Sequence, residues 1–315
     1  GCVIVKSGRM IGEGWHEAWG MAHAEVAALD NCTESPEGAN VYVTLEPCNH
    51  HGRTPPCSEA LIQAGVASVT FAVVDPNEQA QGGADRLRSA GIVVSSGLLA
   101  DEAANANHQF LHAMKHQKPF VTVKSAVTAD GFAARLDGTS KWITGESARA
   151  DGHRLRAERG CVLVGRGTIQ ADDPLLTARI PGVINQPTRV VLDPCGKLSG
   201  KEKVFGDEAK TIWLLQSADR PEQKESDFSI EGVLSQLFFG GIRGVLVEGG
   251  PTTVGHFLAS GLVDEIVLYR APIEFSEELP WRGNREFDAE SLSFELVDEM
   301  AFGPDTRQIF RKSES

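Results

Sequence analysis

The chain of 315 residues contains no uninterrupted apolar run long enough to cross a bilayer, so the sequence predicts no membrane span. It also lacks a basic excess: the formal net charge is −13, which disfavours binding to the phosphate backbone of a nucleic acid. No Gly-x-Gly-x-x-Gly motif follows a predicted strand, so the common dinucleotide fingerprint is missing. These absences favour small-molecule chemistry, and they exclude neither an enzyme nor a binding module.

The six cysteines do not have the spacing of a disulfide framework, and two of them belong to a metal-ligand pattern. His23-Ala24-Glu25 is followed 22 residues later by Pro47-Cys48 and then by Cys57. One imidazole and two thiolates leave a tetrahedral Zn²⁺ with a fourth position for water, and a nearby carboxylate can move the protons of that water. The set predicts a hydrolytic zinc site with His23, Cys48 and Cys57 as ligands and Glu25 as the catalytic acid and base.

Local patterns are consistent with this geometry. Residues 21–31 are predicted to form a helix, and because residues two apart do not share a helix face, His23 and Glu25 can reach one metal only near its first turn. Pro55-Pro56 is typical of the residues before a helix and predicts a second helix over residues 58–64, so we expect Cys57 at the positive end of a helix dipole. We therefore expect two helix starts to converge on the cation.

The zinc thiolates also bear on the compartment, because they require reduced sulfur. A reducing cytoplasm is therefore the expected location. Gly1-Cys2-Val3-Ile4-Val5 is already typical of a strand entering a fold. We accordingly expect residues upstream of Gly1 rather than a signal peptide.

The length predicts two domains, both of the α/β class. In residues 1–117 predicted strands and helices alternate, which indicates a three-layer domain with helices on both faces of a sheet. Residues 115–119 are polar and end in proline, and we place the boundary there. Residues 118–315 begin with a strong predicted strand at residues 120–126.

The segment Thr44-Leu45-Glu46-Pro47-Cys48-Asn49-His50-His51-Gly52-Arg53-Thr54-Pro55-Pro56-Cys57 carries a family resemblance. The zinc deaminase signature closes with Cys-x-x-Cys, whereas eight residues separate the two thiolates here. This longer loop resembles the deaminase half of the bifunctional riboflavin-biosynthesis deaminase-reductases. The resemblance implies a cytidine-deaminase-like domain that acts on 2,5-diamino-6-ribosylamino-4(3H)-pyrimidinone 5′-phosphate. By the same resemblance, the substrate would meet His16, Asn49, His51 and Arg53.

The second half resembles the reductase half of the same family, through a series of short segments in the expected order. These are Lys124 with Ala129-Asp130-Gly131, Ser140-Lys141-Trp142-Ile143-Thr144, Leu155-Arg156-Ala157, Gly167-Thr168 with Ala171-Asp172-Asp173-Pro174-Leu175-Leu176-Thr177, and Glu248-Gly249-Gly250-Pro251-Thr252. The resemblance implies a dihydrofolate-reductase-like domain that uses NADPH. The choice of NADPH over NADH rests on the resemblance, because no residue in the sequence explains it.

The resemblance also implies roles for single residues. The reductase substrate would meet Ser140, Arg156, Leu176, Arg179 and Glu248. The cofactor would meet Ala126, Trp142, Thr168, Asp172, Gly250, Pro251, Thr252, Thr253, Val254, Gly255 and His256. Asp172 is our first choice for a catalytic group, with Lys124 as its charge partner. Asp172 and Glu248 can each orient a ribose hydroxyl or handle a proton, and Trp142 can stack on nicotinamide or fill the core.

Two features of this half can be read from chemistry alone. Glycine-rich turns at residues 164–168 and 247–252 each follow a predicted strand and precede a helix, where backbone amides can approach a pyrophosphate. Arg156 and Arg179 suit a sugar phosphate, because a guanidinium can bind it through two donors. The alternative for each arginine is an ordinary ion pair.

The sequence therefore predicts a zinc- and NADPH-dependent bifunctional enzyme acting on a small pyrimidine nucleotide, and by resemblance a homo-oligomer. One alternative is a single-activity nucleotide deaminase with a degenerate reductase domain. Another is a zinc-stabilised binding module without activity.

Overall fold

The computed structural model describes residues 1–17, 20–51, 55–77, 80–133, 143–215, 229–275 and 293–313. The chain divides into two compact units, Gly1–His116 and Gln117–Ser315. Each unit has its own sheet and its own hydrophobic core. None of the helices in these ranges combines the length and apolar character that crossing a bilayer requires.

The first unit is built from short alternating elements. Its strands are β1 (Cys2–Lys6), β2 (Arg9–Gly14), β3 (Asn40–Leu45), β4 (Ser68–Val73) and β5 (Val93–Ser96), and its helices are α1 (Ala24–Asp30), α2 (Cys57–Gln63), α3 (Gly83–Ser89), α4 (Ala100–Ala106) and α5 (His108–His116). The sheet order is β2-β1-β3-β4-β5. β1 is antiparallel to β2 and β3, whereas β3, β4 and β5 run parallel.

The core of the first unit lies between this sheet and three helices. Alternate residues of β1, such as Cys2 and Ile4, are buried together with Ala28 of α1, Leu61 of α2 and Leu87 of α3. Helix α4 contacts β3 and β4. The parallel strands β3 and β4 point their carboxyl ends to the same edge, where an α/β sheet usually forms its site.

The second unit has a larger sheet. Its strands are β6 (Phe120–Val127), β7 (Cys161–Gly165), β8 (Thr188–Leu192), β9 (Thr211–Leu214), β10 (Gly244–Val247), β11 (Glu265–Arg270), β12 (Phe294–Phe302) and β13 (Asp305–Lys312), its helices are α6 (Glu146–Arg159), α7 (Arg166–Asp172), α8 (Ile230–Phe239) and α9 (Pro251–Ala259), and Lys203–Phe205 is a single 3₁₀ turn. The sheet order is β12-β13-β11-β6-β10-β7-β8-β9. The central strands β11, β6, β10, β7, β8 and β9 are parallel, and β13 is antiparallel to β11 and to β12.

Helices cover both faces of this sheet, which makes the second unit three-layered. Every residue of β7 is buried, as expected for a parallel strand packed on both sides. Leu163 packs with residues of α8 and α9, whereas Val164 packs on the other face with Ile169 of α7. Leu155 of α6 packs against Leu246 of β10.

Several predicted elements have different bounds in the structure. The helix predicted at residues 21–31 begins only at Ala24, and the one predicted at residues 58–64 begins one residue earlier, at Cys57. β2 and β12 had no prediction, and α7 was predicted only as the helix that follows the glycine-rich turn at residues 164–168. β2 is a hairpin partner of β1 whose turn has φ of 50° at Ser7 and 75° at Gly8, and two glycines within β2 weaken its strand pattern.

Candidate active sites

The three predicted metal ligands meet at the carboxyl edge of the first sheet. His23 precedes α1 with an extended backbone (φ −70°, ψ 162°), Cys48 lies in the loop after β3, and Cys57 is the first residue of α2. His23 Nδ1 lies 3.5 Å from Cys48 Sγ and 3.3 Å from Cys57 Sγ. Tetrahedral zinc with ordinary Zn–N and Zn–S bonds would hold such donors about 3.6 Å apart. The donor set and its spacing therefore fit Zn²⁺.

Of the three ligand side chains, Cys48 is already favoured in the form that binds a metal. A hydrogen bond from the Cys57 thiol and a contact with the His23 ring hold the pKa of Cys48 below its ordinary value. The Cys57 backbone N–H also donates to Cys48 Sγ at 3.4 Å, as expected at a helix start. Sulfur at this position is thus favoured as thiolate, the form that binds metal.

Glu25 lies in the first turn of α1 and is 6% exposed. Burial raises the pKa of its carboxyl, and a side-chain contact with Cys57 opposes that rise. A buried carboxyl that touches one metal ligand and follows another by two residues is placed to exchange protons with a group bound at the same centre. It is not needed as a fourth ligand.

Two glycines permit the backbone approaches that build this site. A Cβ on Gly14 would lie 2.3 Å from the backbone nitrogen of Ala28, so α1 packs directly on β2 there. A Cβ on Gly83 would lie 1.7 Å from the carbonyl oxygen of Pro47, so the start of α3 supports the loop that carries Cys48. Neither position accepts a side chain without movement of the backbone.

The predicted substrate residues of this half occupy different surroundings. His16 Nδ1 lies 3.0 Å from the Ala22 carbonyl oxygen, and its ring stands edge-on to the His23 ring at 5.4 Å. Asn49 Oδ1 accepts hydrogen bonds from Ser58 and Arg86 at 3.1 and 3.4 Å. His51 is exposed, with Nε2 3.9 Å from Glu59. The structure thus brings His16 close to the metal ligand, whereas His51 faces α2. Arg53 lies outside the described residues.

Sequence reasoning missed two groups beside the zinc loop. His50 Nδ1 is buried and has no hydrogen-bond partner among the described residues. Asp75 is 4% exposed, and its carboxyl has a raised pKa because of burial and of the charges at Glu46 and Cys48. Asp75 follows β4, so the rule that sites form beyond the carboxyl ends of parallel strands would have drawn attention to it.

In the second unit the two glycine-rich turns meet. Gly165 is the last residue of β7, and Gly249 lies two residues after the neighbouring strand β10. A Cβ on either would come within 2.5 Å of Thr253, at Oγ1 for Gly165 and at Cβ for Gly249. The Gly250 backbone N–H donates to Thr168 Oγ1 at 3.1 Å, immediately before α9. A Cβ on Gly167 would meet open space. Backbone and hydroxyl groups at two helix starts therefore lie next to one another, an arrangement that suits the pyrophosphate of a dinucleotide.

A buried charge cluster lies beside these turns. Arg156 Nε and Nη2 donate to the two carboxylate oxygens of Glu248 at 2.8 and 2.6 Å. Burial alone would raise the pKa of Glu248, but Arg156 and Lys124 bring it down to about 2. Burial also lowers the pKa of Lys124. The structure places the Glu248 carboxylate near Lys124, and the pairing of Asp172 with Lys124 stays a prediction.

The remaining predicted residues differ in how they can reach a ligand. Leu176 and Val254 are buried in hydrophobic clusters, so their backbones rather than their side chains are available. Asp172, Arg179, Thr252 and His256 are exposed, and Ala126, Pro251 and Gly255 are partly buried. Ser140 and Trp142 lie outside the described residues.

Fold and sites together define a class: a zinc-dependent hydrolytic deaminase domain joined to a reductase domain. The family model for the cytidine and deoxycytidylate deaminase zinc-binding region matches residues 1–73, and the model for the RibD C-terminal domain matches residues 119–306. The chain belongs to the RibD family of riboflavin-biosynthesis proteins.

Relatives resemble the chain over most of its length. Riboflavin biosynthesis protein RibD of Aquifex aeolicus is 40% identical over 89% of this chain and 82% of the relative, and that of Mycobacterium tuberculosis (strain H37Rv) is 44% identical over 87% and 78%. The solved structure of Acinetobacter baumannii RibD (form 1) has a TM-score of 0.88 at 37% identity and covers 99% of this chain and 92% of its own. The deaminase/reductase structure from Thermotoga maritima gives 0.87 at 35%, covering 99% and 91%. The predicted fold classes, the family and the two cofactors, Zn²⁺ and NADPH, are confirmed.

Proposed function

We propose that the unit Gly1–His116 carries the deaminase activity, and the unit Gln117–Ser315 the reductase activity, of a bifunctional riboflavin-biosynthesis enzyme. The Thermotoga maritima relative is a diaminohydroxyphosphoribosylaminopyrimidine deaminase and 5-amino-6-(5-phosphoribosylamino)uracil reductase. We assign the same consecutive reactions to this chain. The observation that carries the assignment is the triangle of His23, Cys48 and Cys57 with a buried Glu25 beside it. A degenerate second domain finds no support, since the reductase model matches residues 119–306.

In deamination, the 2-amino group of the pyrimidine leaves as ammonia and an oxygen from water takes its place. His23, Cys48 and Cys57 would hold the zinc ion, which supplies a water with a pKa lowered to about 7. Glu25 would accept one proton of the water and deliver it to the ring nitrogen; it would then take the remaining proton from the newly formed hydroxyl and pass it to the amino group, which leaves as ammonia. Burial of Glu25 supports this role, because its raised pKa brings the proton affinity of the carboxyl nearer to that of its partners. His16, Asn49, His51 and Arg53 are the proposed contacts to the nucleotide.

In reduction, a hydride from NADPH adds to the sugar carbon that bears the amino group, and the bond from that carbon to the ring oxygen opens to give the ribityl chain. The oxygen released from the ring requires a proton. Lys124 is suited to donate it, because burial lowers the pKa of its ammonium and makes it a stronger acid. Asp172, at the exposed end of α7, is the second candidate. Hydride transfer itself depends on the protein holding the nicotinamide and the sugar carbon close together and correctly oriented.

Ligand contacts in this half follow the two clusters of donors. The cofactor meets the turn and helix start at residues 250–256, with Thr168, Ala126, Asp172 and Trp142. The substrate meets Arg179, Ser140, Leu176 and the pair Arg156–Glu248, with Arg179 as the phosphate ligand. Arg156 already has Glu248 as its partner, so it orients this part of the site, whereas the exposed Arg179 keeps donors for an anion. We further propose a cytoplasmic homo-oligomer.

The test is an assay that follows ammonia release and NADPH absorbance separately with the diaminopyrimidine nucleotide as substrate. Glu25→Gln should lower ammonia release by about a thousandfold, within the range for a lost general acid and base. Reduction of substrate that is already deaminated should be unchanged. Glu34→Gln, an exposed carboxyl paired with Arg9 away from the proposed ligand contacts, is the matched control and should keep both activities.

Three outcomes contradict the proposal. Loss of both activities in Glu25→Gln would contradict the assignment of separate sites. Zinc binding without ammonia release in the unsubstituted protein would favour the binding module. Ammonia release without NADPH oxidation would favour the single-activity deaminase.

A further inference from the structure

The segment of residues 173–179, between α7 and β8, has an unusual backbone. Two of its non-glycine residues are left-handed, with φ of 41° at Asp173 and 55° at Leu176. Such conformations cost about 1–3 kcal/mol each and persist where neighbouring groups hold them. Leu176 is anchored by its side chain in the core, and Ala178 exchanges two hydrogen bonds with the Gln186 side chain at 2.8 and 3.1 Å.

Thr177 lies between these two anchors, and helix α6 holds it by its carbonyl oxygen. Arg156 Nη1 donates to that oxygen at 3.0 Å, and His153 Nδ1 lies 3.1 Å from it. The two donors are three residues apart and so share one face of α6. Nδ1 thus faces the Thr177 carbonyl oxygen at 3.1 Å and, on the longer side, the backbone N–H of Arg179 at 3.4 Å; with its hydrogen on Nδ1 the ring donates to the carbonyl, the shorter of the two contacts.

The same threonine contacts the proposed phosphate ligand. Arg179 Nη1 donates to Thr177 Oγ1 at 3.3 Å, and the Arg179 backbone nitrogen lies 3.4 Å from His153 Nδ1. The His153 ring therefore packs against the backbone on both sides of Ala178. A shift of the ring would move the threonine hydroxyl on which the Arg179 guanidinium rests.

The charges around His153 keep the ring neutral. Burial, Arg156 and Arg179 lower its pKa below the ordinary value, while the hydrogen bond with the Thr177 backbone and the charge of Glu248 oppose them. The groups that face the ring are thus Arg156 on its own helix, Arg179 and Thr177 from the segment, and Glu248 after β10. A neutral imidazole adds no third positive charge beside the two arginines. His153 therefore contributes a directional hydrogen bond and no charge.

We infer that His153 is a positioning residue of the reductase site, which holds the Thr177 carbonyl so that Arg179 meets the 5′-phosphate of the substrate in one orientation. This inference rests on the proposed function, in which Arg179 binds that phosphate. Fixing a long side chain before binding lowers the entropy lost on binding. The effect should therefore appear in substrate affinity and not in hydride transfer.

The test compares two isosteres. In His153→Asn the side-chain amide nitrogen can occupy the position of Nδ1, whereas in His153→Gln it lies nearer the position of Nε2. We expect His153→Gln and His153→Ala to raise the KM for the phosphorylated uracil substrate by about tenfold, the worth of one hydrogen bond, with kcat nearly unchanged. His153→Asn should stay within about threefold of the unsubstituted protein.

Three controls separate positioning from a general loss of structure. Ammonia release and the Kd for NADPH, measured by fluorescence titration, should be unchanged in all three variants. The same substrate without its phosphate should have equal KM values in His153→Gln and the unsubstituted protein. A KM for phosphorylated substrate that is equal in His153→Asn and His153→Gln would overturn the inference.

Arg179→Ala distinguishes failure of this inference from failure of the proposed function. If Arg179→Ala leaves the KM for phosphorylated substrate unchanged, the phosphate role of Arg179 is wrong. If Arg179→Ala raises that KM and His153→Gln does not, the phosphate role stands and the positioning role of His153 is wrong.

Discussion

The two sites each contain a buried glutamate, and the pKa values of the two carboxyls are shifted in opposite directions. Burial raises the pKa of Glu25, whereas Arg156 and Lys124 lower that of Glu248 to about 2. Burial is common to both, so the difference comes from the charges beside them. Glu25 lies beside two cysteines and a histidine, and the positive charge of this site comes from the metal that they bind. Glu248 has a guanidinium bound through two hydrogen bonds.

The first site therefore takes its positive charge from a bound metal, whereas in the second site protein side chains supply the positive charge next to the carboxylate. The zinc ligands lie within residues 23–57 and converge through two helix starts. The pair Arg156–Glu248 joins residues 92 positions apart and forms only when α6 packs beside β10. The first site should therefore fail when its cation is removed, and the second when one ion of the pair is removed.

Removal of zinc should have the largest effect. After dialysis against a chelator, ammonia release should fall below detection, because the attacking water loses the cation that acidifies it. Reduction of substrate that is already deaminated should keep its rate. Zinc content by mass spectrometry and the two assays check this, with readdition of zinc as the control. Equal loss of reduction would show that the two units depend on one another.

Neutralising Glu248 should have the next largest effect. In Glu248→Gln the Arg156 charge is left buried without its partner, which should cost about 3 kcal/mol of the unfolding free energy of the second unit. We expect kcat/KM for reduction to fall about a hundredfold, since a lost charged contact at a site is worth roughly that much. Ammonia release should be unchanged. Glu158→Gln, on the exposed side of α6, is the control and should change stability by less than about 0.5 kcal/mol.

The same pair gives a pH dependence whose sign is fixed. The pKa of Glu248 falls from an ordinary 4.5 to about 2 on folding, so its stabilising contribution is complete above pH 4.5 and is lost as the pH falls toward 2. The stability difference between the unsubstituted protein and Glu248→Gln should therefore shrink below pH 4.5. Urea unfolding of the second unit from neutral pH to about pH 3 measures it. A difference that is constant over that range would contradict the ion-pair account.

The sequence could predict the first site more completely than the second, for a physical reason. A metal restricts its ligands to a few residue types at short spacing, so His23, Cys48 and Cys57 could be identified before the fold was known. An ion pair such as Arg156–Glu248 has no such signature. The sequence pointed to Arg156 and Glu248 singly, and their contact follows only from the strand order β6-β10-β7.

Two elements whose bounds the sequence did not predict, β2 and α7, have similarly local causes. β2 contains Gly12 and Gly14, which lower strand propensity but allow α1 to pack on the sheet. α7 spans Arg166–Asp172 with one fully buried residue, Ile169, so it presents no apolar periodicity. In both cases packing against the rest of the unit decides a structure that the local pattern leaves open.

A steric substitution tests whether the zinc site depends on its supporting backbone as well as on the ion. In Gly83→Ala the new Cβ would overlap the Pro47 carbonyl oxygen, so the Cys48 loop must move. We expect a loss of about 1–3 kcal/mol in stability and about tenfold weaker zinc binding in a chelator competition. Gly152→Ala, in α6 with open space at its Cβ, is the control and should be neutral or stabilising. Unchanged zinc affinity in Gly83→Ala would mean that the metal alone fixes the loop.

The smallest effect should come from a neutral hydrogen bond in the zinc half. Ser58 is fully buried, and its hydroxyl donates to Asn49 Oδ1, which also accepts from Arg86 at a longer distance. Ser58→Ala should raise the KM for deamination about fivefold, because Asn49 loses the shorter of its two donors while the metal ligands stay in place. Ser95→Ala, at an exposed contact with Thr70, should leave that KM unchanged. If Ser58→Ala instead lowers zinc affinity, then Asn49 supports the loop that carries the metal ligands. The zinc site would then depend on protein contacts as well as on its ion, and it would differ less from the Arg156–Glu248 site than the charges indicate.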